Sequence, residues 1–170
     1  MVLLKDIQGR ICTFLSSTEC LDLDTTTLVL PKKVRRNMVL VLGGVPGTSN
    51  HVKVMPITST FKAGSDYVPI APTPKKGYTI QLQLRTYRVW HNGSEERYFQ
   101  RLLKHSYLKI DSSYEVPTQM LVDVKDHFDN PFMVISKGQG GLRQLQEYIH
   151  RRDSIREQEA LYRATEKETG

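Results

Sequence analysis

Residues 35–60 read RRNMVLVLGGVPGTSNHVKVMPITST, and this stretch decides the fold. Met38–Leu42 is an unbroken apolar run ahead of Gly43-Gly44, the pattern of a buried strand. Pro46-Gly47 and Ser49-Asn50 supply turn chemistry. His51–Ile57 then alternates, with Val52, Val54 and Pro56 on one side and Lys53, Met55 and Ile57 on the other. The reading is a β-hairpin with polar ends. Arg35 and Arg36 open it, and Thr58, Ser59 and Thr60 close it. Cations and hydroxyls gathered in this way suit a phosphate.

Working outward, Leu28–Pro31 reads as a short strand and residues 18–27 as a polar, acidic loop. Residues 1–17 fit a short helix or strand. Tyr67–Ile70 is a further strand candidate, ended by the loop APTPKKG. Tyr78–Trp90 is the longest alternating run, with Ile80, Leu82 and Leu84 facing one way and Thr79, Gln81, Gln83 and Arg85 the other. Asn92-Gly93 is a strong turn signal. Ser94–Lys104 has an N-cap serine followed by Glu95-Glu96 and reads as a short helix. Tyr107–Ile110 and Tyr114–Val116 read as strands, and Pro117–Val124 as a helical turn or a strand. From Leu142 to about Glu166 the chain has neither Pro nor Gly, and apolar residues at 142, 145, 149 and 155 mark a long amphipathic helix. Short strands with turn signals every 8–12 residues point to a small antiparallel barrel or sandwich. The expected class is therefore β-rich α+β, with a β domain over residues 1–137 and a helical extension over 138–170.

The chain has 170 residues and a formal net charge of +6, concentrated in its middle. Residues 32–110 hold fourteen bases and three acids, net +11, whereas residues 1–31 carry −2, residues 111–137 carry −3 and residues 138–170 are balanced. Such an excess on the strand-rich segment points to a polyanion partner, most simply nucleic acid. No apolar run approaches the roughly 20 residues of a membrane span, so no membrane partner is expected. Asp6 and Gln8 interrupt the apolar start where a secretory signal needs continuity. The two cysteines, Cys12 and Cys20, read as reduced thiols, which fits a cytoplasmic or nuclear protein.

Several chemistries are disfavoured. Carboxylates are scarce in the basic segment, against a metal-dependent nuclease or a glycosidase. Gly43–Gly47 is not followed by Gly-Lys-Ser/Thr, so it is no P-loop. The histidines lack metal-ligand spacing, and no cofactor or metal is expected, although His91 and His105 could act as an acid–base pair on RNA. Pro31–Arg36 reads either as a phosphate-contacting loop or as a basic nuclear-import signal. Arg85-Thr86-Tyr87-Arg88-Val89-Trp90 interleaves cations with aromatics, as single-stranded RNA binding by stacking and phosphate contact requires.

Arg36–Leu42 and Val52–Ser59, the latter ending Pro56-Ile57-Thr58-Ser59, resemble the PemK/MazF family of toxin-type endoribonucleases. Tyr78–Arg88 stands where that family has a strand with a Gln-Leu/Ile-Arg element, and Ser106–Pro117 resembles its closing region. The resemblance covers residues 35–124, and the C-terminal helix is additional to it. It implies a small SH3-like β-barrel, homodimers in the manner of toxin–antitoxin proteins, and metal-independent cleavage of single-stranded RNA. It further implies that Arg36 and Thr58 are catalytic. Arg35, Lys53, Ser59, Arg85, Tyr87, Arg88 and Trp90 are expected to guide the RNA. The alternative is a non-catalytic barrel that binds protein or RNA.

Overall fold

A computed structural model describes residues 4–16 and 30–169. Among these residues the strands are β1 (Ile11–Phe14), β2 (Val39–Gly44), β3 (His51–Thr58), β4 (Tyr67–Ile70), β5 (Thr86–His91), β6 (Ser94–Phe99), β7 (Ser106–Lys109), β8 (Tyr114–Pro117) and β9 (Leu121–Asp123). The α-helices are α1 (Lys32–Arg36) and the long C-terminal α2 (Leu142–Thr169). The fold is a β-rich antiparallel sheet protein with one long C-terminal helix. Seven strands share a sheet in the order β4-β7-β3-β2-β1-β9, with β8 also pairing to β3. Strands β5 and β6 form a separate hairpin. The 3-10 turn Thr118–Met120 links the edge strands β8 and β9, and no ladder joins the two among the described residues.

The quoted stretch forms β2 and β3 in the expected register, Val39 opposite Pro56 and Val41 opposite Val54, with a bulge before Gly43. Both faces of this pair are buried. Leu40, Leu42, Met55 and Ile57 belong to one apolar cluster with Ile70, Leu82, Leu108, Val134, Leu142 and Leu145. Val39, Val41, Val52 and Val54 belong to a second cluster with Cys12, Val34 and Val116. Period-two alternation thus feeds two cores, one on each side of the strands. Cys12 is a free, buried thiol whose pKa is pushed up to about 12, first by burial and then by the neighbouring Asp123 carboxylate. Cys20, the loop expected at 18–27 and residues 28–29 of the expected strand lie outside the described residues, while Leu30 and Pro31 are not in a strand.

Two expectations are corrected. Ser94–Lys104 is not a helix: residues 94–99 form β6, paired with β5 from Thr86 opposite Phe99 to His91 opposite Ser94. Asn92 and Gly93 both have positive φ, 50° and 78°, which turns the chain straight back on itself. The open backbone groups of β5 then recruit residues 94–99, overriding the N-cap serine. Residues 78–90 are not one strand. Ile80, Leu82 and Leu84 are buried as the alternation requires, but Leu82 bridges Ile70 and Leu84 bridges Val134 in isolation. The backbone here is shared between β4, through Leu82 N to Pro69 O, and residues 133–140, through Gln83 N to Gly140 O and Arg85 N to Met133 O. Residues 117–124, read as either a helical turn or a strand, form both in succession.

Helix α2 docks by its first turns. Leu142 and Leu145 are buried and Tyr148 and Ile149 pack against the core, whereas Ile155 is 56% exposed. Gln146 donates to the Leu42 carbonyl at 3.1 Å, and Arg152 donates to the Ile110 carbonyl at 2.7 Å. Arg152 and Arg156 both pair with Asp66. The chain enters the helix through Gly140, whose φ is +76° and where an added Cβ would meet the Gln81 carbonyl oxygen at 2.3 Å. Replacing Gly140 by Ala should therefore destabilise the protein by about 2–4 kcal/mol, measured by urea unfolding. Gly138→Ala, with a similar φ of +86° but open space around it, should cost about 1 kcal/mol. Equal losses at the two positions would contradict the clash.

Candidate functional site

Pairing of β2 with β3 determines where the polar ends of the hairpin go. Ile57 N donates to Met38 O at 2.8 Å, so continuing the register by one step sets Asn37 opposite Thr58 and Arg36 beside them. Arg36 is the last residue of α1. That helix begins after Pro31, whose carbonyl accepts from Val34 N and Arg35 N, and Val34 anchors it in the second core cluster. Burying Val34 leaves Arg35 half-buried and turns Arg36 outward, exposed.

These residues form one wall of a cavity of about 690 Å³. Met38, Ile57, Leu102, Val124 and Phe132 give it an apolar lining. Polar groups also line it: Arg36, Asn37, Thr58 and Ser59 from the hairpin, and Arg101, Lys104, Lys125 and His127 from the segments that follow β6 and β9. Four cations therefore face one carboxylate, Asp126. Among the described residues Arg36, Arg101 and Lys104 make no ion pair, while Lys125 pairs with Asp129 at 3.5 Å across an exposed i,i+4 contact.

Asp126 is committed to holding this wall together. It accepts from Tyr98 Oη at 2.8 Å, from Gln100 Nε2 at 3.0 Å, and from the backbone N–H groups of Phe128 and Asn130 at 2.9 and 3.0 Å. Burial alone would raise its pKa, but the donors from Gln100, Asn130, Tyr98 and Phe128 outweigh burial and hold it below the ordinary carboxylate value. A carboxylate so saturated competes weakly for an incoming cation and leaves the rim positive.

The Thr58 hydroxyl accepts from Thr60 N–H at 3.1 Å and lies 3.2 Å from the Thr60 carbonyl, to which it donates. It closes a tight turn at the exposed end of β3. Its proton is directed at an exposed carbonyl, and rotation of the hydroxyl would re-aim it into the cavity.

Of the residues singled out in the sequence, the structure brings Arg36, Thr58 and Ser59 to this cavity. Arg35 lies on the same short helix but does not line it. Lys53 is exposed near the far end of β3, opposite Glu115 and about 17 Å along the strand from Thr58. Arg85, Tyr87, Arg88 and Trp90 lie in or next to the β5–β6 hairpin. Tyr87 stacks on Tyr98 with ring centroids 5.8 Å apart and donates to the Pro131 carbonyl, Arg88 pairs with Glu95 at 3.5 Å, and Trp90 is 76% exposed. The hairpin reaches the cavity through its second strand, since Tyr98, Phe99 and Gln100 line it. His127, rather than His91 or His105, is the histidine in the wall. Sequence reading missed Arg101, Lys104, Lys125 and His127. The first two belong to the +11 segment, but Lys125 and His127 sit in a net acidic one, and chain folding alone joins them to Arg36.

Among the described residues no group of three or more His, Cys, Asp or Glu could hold a metal ion, and no helix is long and apolar enough to cross a membrane. Compared with protein-family models, curated proteins and solved structures, the chain matches none.

The Asp126 network carries a pH signature. Its folded pKa is depressed, so its stabilisation is present above the ordinary carboxylate pKa and is lost as pH falls through the folded value. The urea midpoint of the wild-type protein should fall as pH drops below about 4. Asp126→Asn should be less stable at pH 7 by about 1 kcal/mol and should lose part of that acid dependence. An unchanged pH profile in the variant would remove Asp126 from the account.

Proposed function

We propose that this protein binds single-stranded RNA through the cavity between the β2–β3 ends and the segments after β6 and β9, and cleaves it without a metal. The observation that carries this reading is the meeting of Arg36 and Thr58 on one cavity wall with three further cations around it. The reading places the chain beside PemK/MazF-type endoribonucleases. The five strands β9-β1-β2-β3-β8, with their two edges linked by one 3-10 turn, support an SH3-like barrel. The working form would be a homodimer, and the compartment cytoplasmic or nuclear.

In this mechanism the RNA supplies its own nucleophile. The 2′-oxygen attacks the adjacent phosphorus and gives up its proton, the P–O5′ bond breaks, and the 5′-oxygen takes a proton. The products are a 2′,3′-cyclic phosphate and a 5′-hydroxyl, with no water or metal consumed. Arg36 stabilises the extra negative charge, since a guanidinium fork spans two phosphate oxygens. Thr58 donates to the same oxygens once its hydroxyl turns from Thr60. His127 adds an imidazole that could take the 2′-hydroxyl proton and return one to the 5′-oxygen. Lys104, Arg101 and Lys125 hold the flanking phosphates.

A second reading rests on two observations: the Thr58 hydroxyl is engaged by Thr60, and α2 runs exposed from Ile155 onward with Ile155, Leu161 and Tyr162 uncovered. In that reading the same fold is a non-catalytic protein- or RNA-interaction module. Incubating the protein with end-labelled RNA in EDTA separates the two. Cleavage leaving cyclic phosphate ends is expected, reduced about 10²–10⁴-fold by Arg36→Ala and unaffected by Lys167→Ala at the far end of α2. Binding of RNA without cleavage of any sequence tested would leave the module reading.

A further inference from the structure

Beyond the rim at Thr58 lies a surface that the cavity does not use. Strand β7 pairs with β3 so that Tyr107 is directly opposite Thr58. Opposite residues on antiparallel strands share a face and sit roughly 5 Å apart between Cα atoms, less than the length of one nucleotide. Tyr107 is also the hub of a four-ring cluster. Its ring centroid is 6.2 Å from Phe61, 6.0 Å from Tyr67 and 6.2 Å from Tyr78, and Phe61 and Tyr67 are 5.1 Å apart. The cluster is held by the backbone. Tyr67 Oη accepts from Lys62 N at 3.0 Å, which fixes the chain beside Phe61, and Tyr78 N donates to Lys75 O at 2.8 Å.

Two features set this surface apart from ordinary core. Phe61 is 58% exposed although it touches two rings, so an aromatic surface is left facing solvent. The surroundings are cationic. Lys62 follows Phe61, Lys109 shares the Tyr107 face of β7 and lies opposite Tyr67, and Lys75 and Lys76 precede Tyr78 in its loop. The nearby carboxylate, Asp66, is spoken for by Arg152 and Arg156 of α2. One exposed ring, Phe61, backed by the half-buried Tyr78 and Tyr107 over the buried Tyr67 and set among lysines one register step from the proposed phosphate site, matches the alternation of base and phosphate in a single strand.

We infer that the Phe61–Tyr67–Tyr78–Tyr107 surface is a base-stacking subsite for the nucleotide next to the phosphate held at Arg36 and Thr58. The inference rests on the RNA reading of that site and adds where the strand leaves it. The path runs from the cavity across the Thr58 rim onto the aromatic surface. Because stacking uses the π-face common to all four bases, the subsite selects unpaired over paired RNA rather than one base over another.

The test uses the full chain and a fluorescein-labelled single-stranded oligoribonucleotide whose 2′-hydroxyls are methylated, which blocks cleavage and leaves binding as the readout. Affinity is measured by fluorescence anisotropy in EDTA. Phe61→Ala should weaken binding about five- to hundredfold, while Phe61→Tyr, which keeps the ring, should stay near wild type. Tyr162→Ala, which removes an exposed aromatic from α2, should change nothing. An oligonucleotide series with one abasic position should contain a member that the wild-type protein and Phe61→Ala bind equally. If Phe61→Ala binds as tightly as wild type while Arg36→Ala binds weakly, the stacking subsite is overturned and the phosphate site stands. Equal affinity of the wild-type protein for an RNA duplex also overturns the subsite. If the wild-type protein binds no RNA, or Arg36→Ala and Phe61→Ala both bind as wild type does, the RNA reading falls and the subsite falls with it.

Discussion

Everything in this fold depends on β3, which makes three pairings along eight residues. It runs beside β2 over its length, beside β8 through His51–Val54, and beside β7 through Ile57 and Thr58. The exchange of β8 for β7 falls at Met55 and Pro56. Ile57 N points toward β2, where it donates to Met38 O. Alternate N–H groups on a strand point to opposite edges, so the nitrogen of Pro56 points to the edge where one neighbour has ended and the next begins. Proline cannot donate there, and no donor is needed. A proline in a buried strand, which sequence reasoning treats as a warning, here marks the position where the strand changes partners.

The candidate site follows from that exchange. Past Pro56 the strand has one apolar residue left, Ile57, before Thr58, Ser59 and Thr60 carry it into solvent. The same register returns α1 to the rim, and the burial of Val34 decides that Arg36 rather than Arg35 is presented. The opposite wall depends on the hairpin β5–β6, because Tyr98 and Gln100 hold Asp126, and the loop of residues 124–132 closes around that carboxylate. Among the described residues Arg36, Arg101 and Lys104 make no ion pair, and the one carboxylate of the wall, Asp126, is engaged by four hydrogen bonds. Cations that have no ion-pair partner among the described residues, over an apolar lining, suit a ligand with an anionic backbone and apolar faces.

The sequence made β2, β3, the Gly/Pro turn and the start of α2 legible, since each has its own period and its own punctuation. It also revealed the buried set Ile80, Leu82 and Leu84, although the backbone there is stitched to two neighbours and forms no ladder. Burial follows from side-chain alternation, whereas strand assignment needs a partner, and partners at residues 69–71 and 133–140 are not visible locally. The helix expected after Ser94 fails for a related reason. Ser94 and Glu95-Glu96 fit a helix start, but the Asn92-Gly93 turn acts first and leaves β5 with open hydrogen-bonding groups. Half of the candidate site was legible as well. Arg36, Thr58 and Ser59 lie on one hairpin, and short-range pairing brings them together. Arg101, Lys104, Lys125 and His127 join them through contacts between distant segments, which no spacing rule encodes.

The choice between catalyst and scaffold therefore turns on one proton. The Thr58 hydroxyl directs its hydrogen to the Thr60 carbonyl, an exposed acceptor that water can satisfy equally well. Exchanging that acceptor for a phosphate oxygen costs little, because a neutral hydrogen bond at the surface contributes about 1 kcal/mol or less. A hydrogen bond to a phosphate anion is stronger, and Arg36, which has no ion pair among the described residues, would deepen the well from the same wall. In the proposed endoribonuclease reading, the turn that occupies Thr58 would hold the hydroxyl at the rim and yield it to an arriving phosphate. Under that proposal the substrate's backbone would bind first and the Thr58 hydrogen bond would form second.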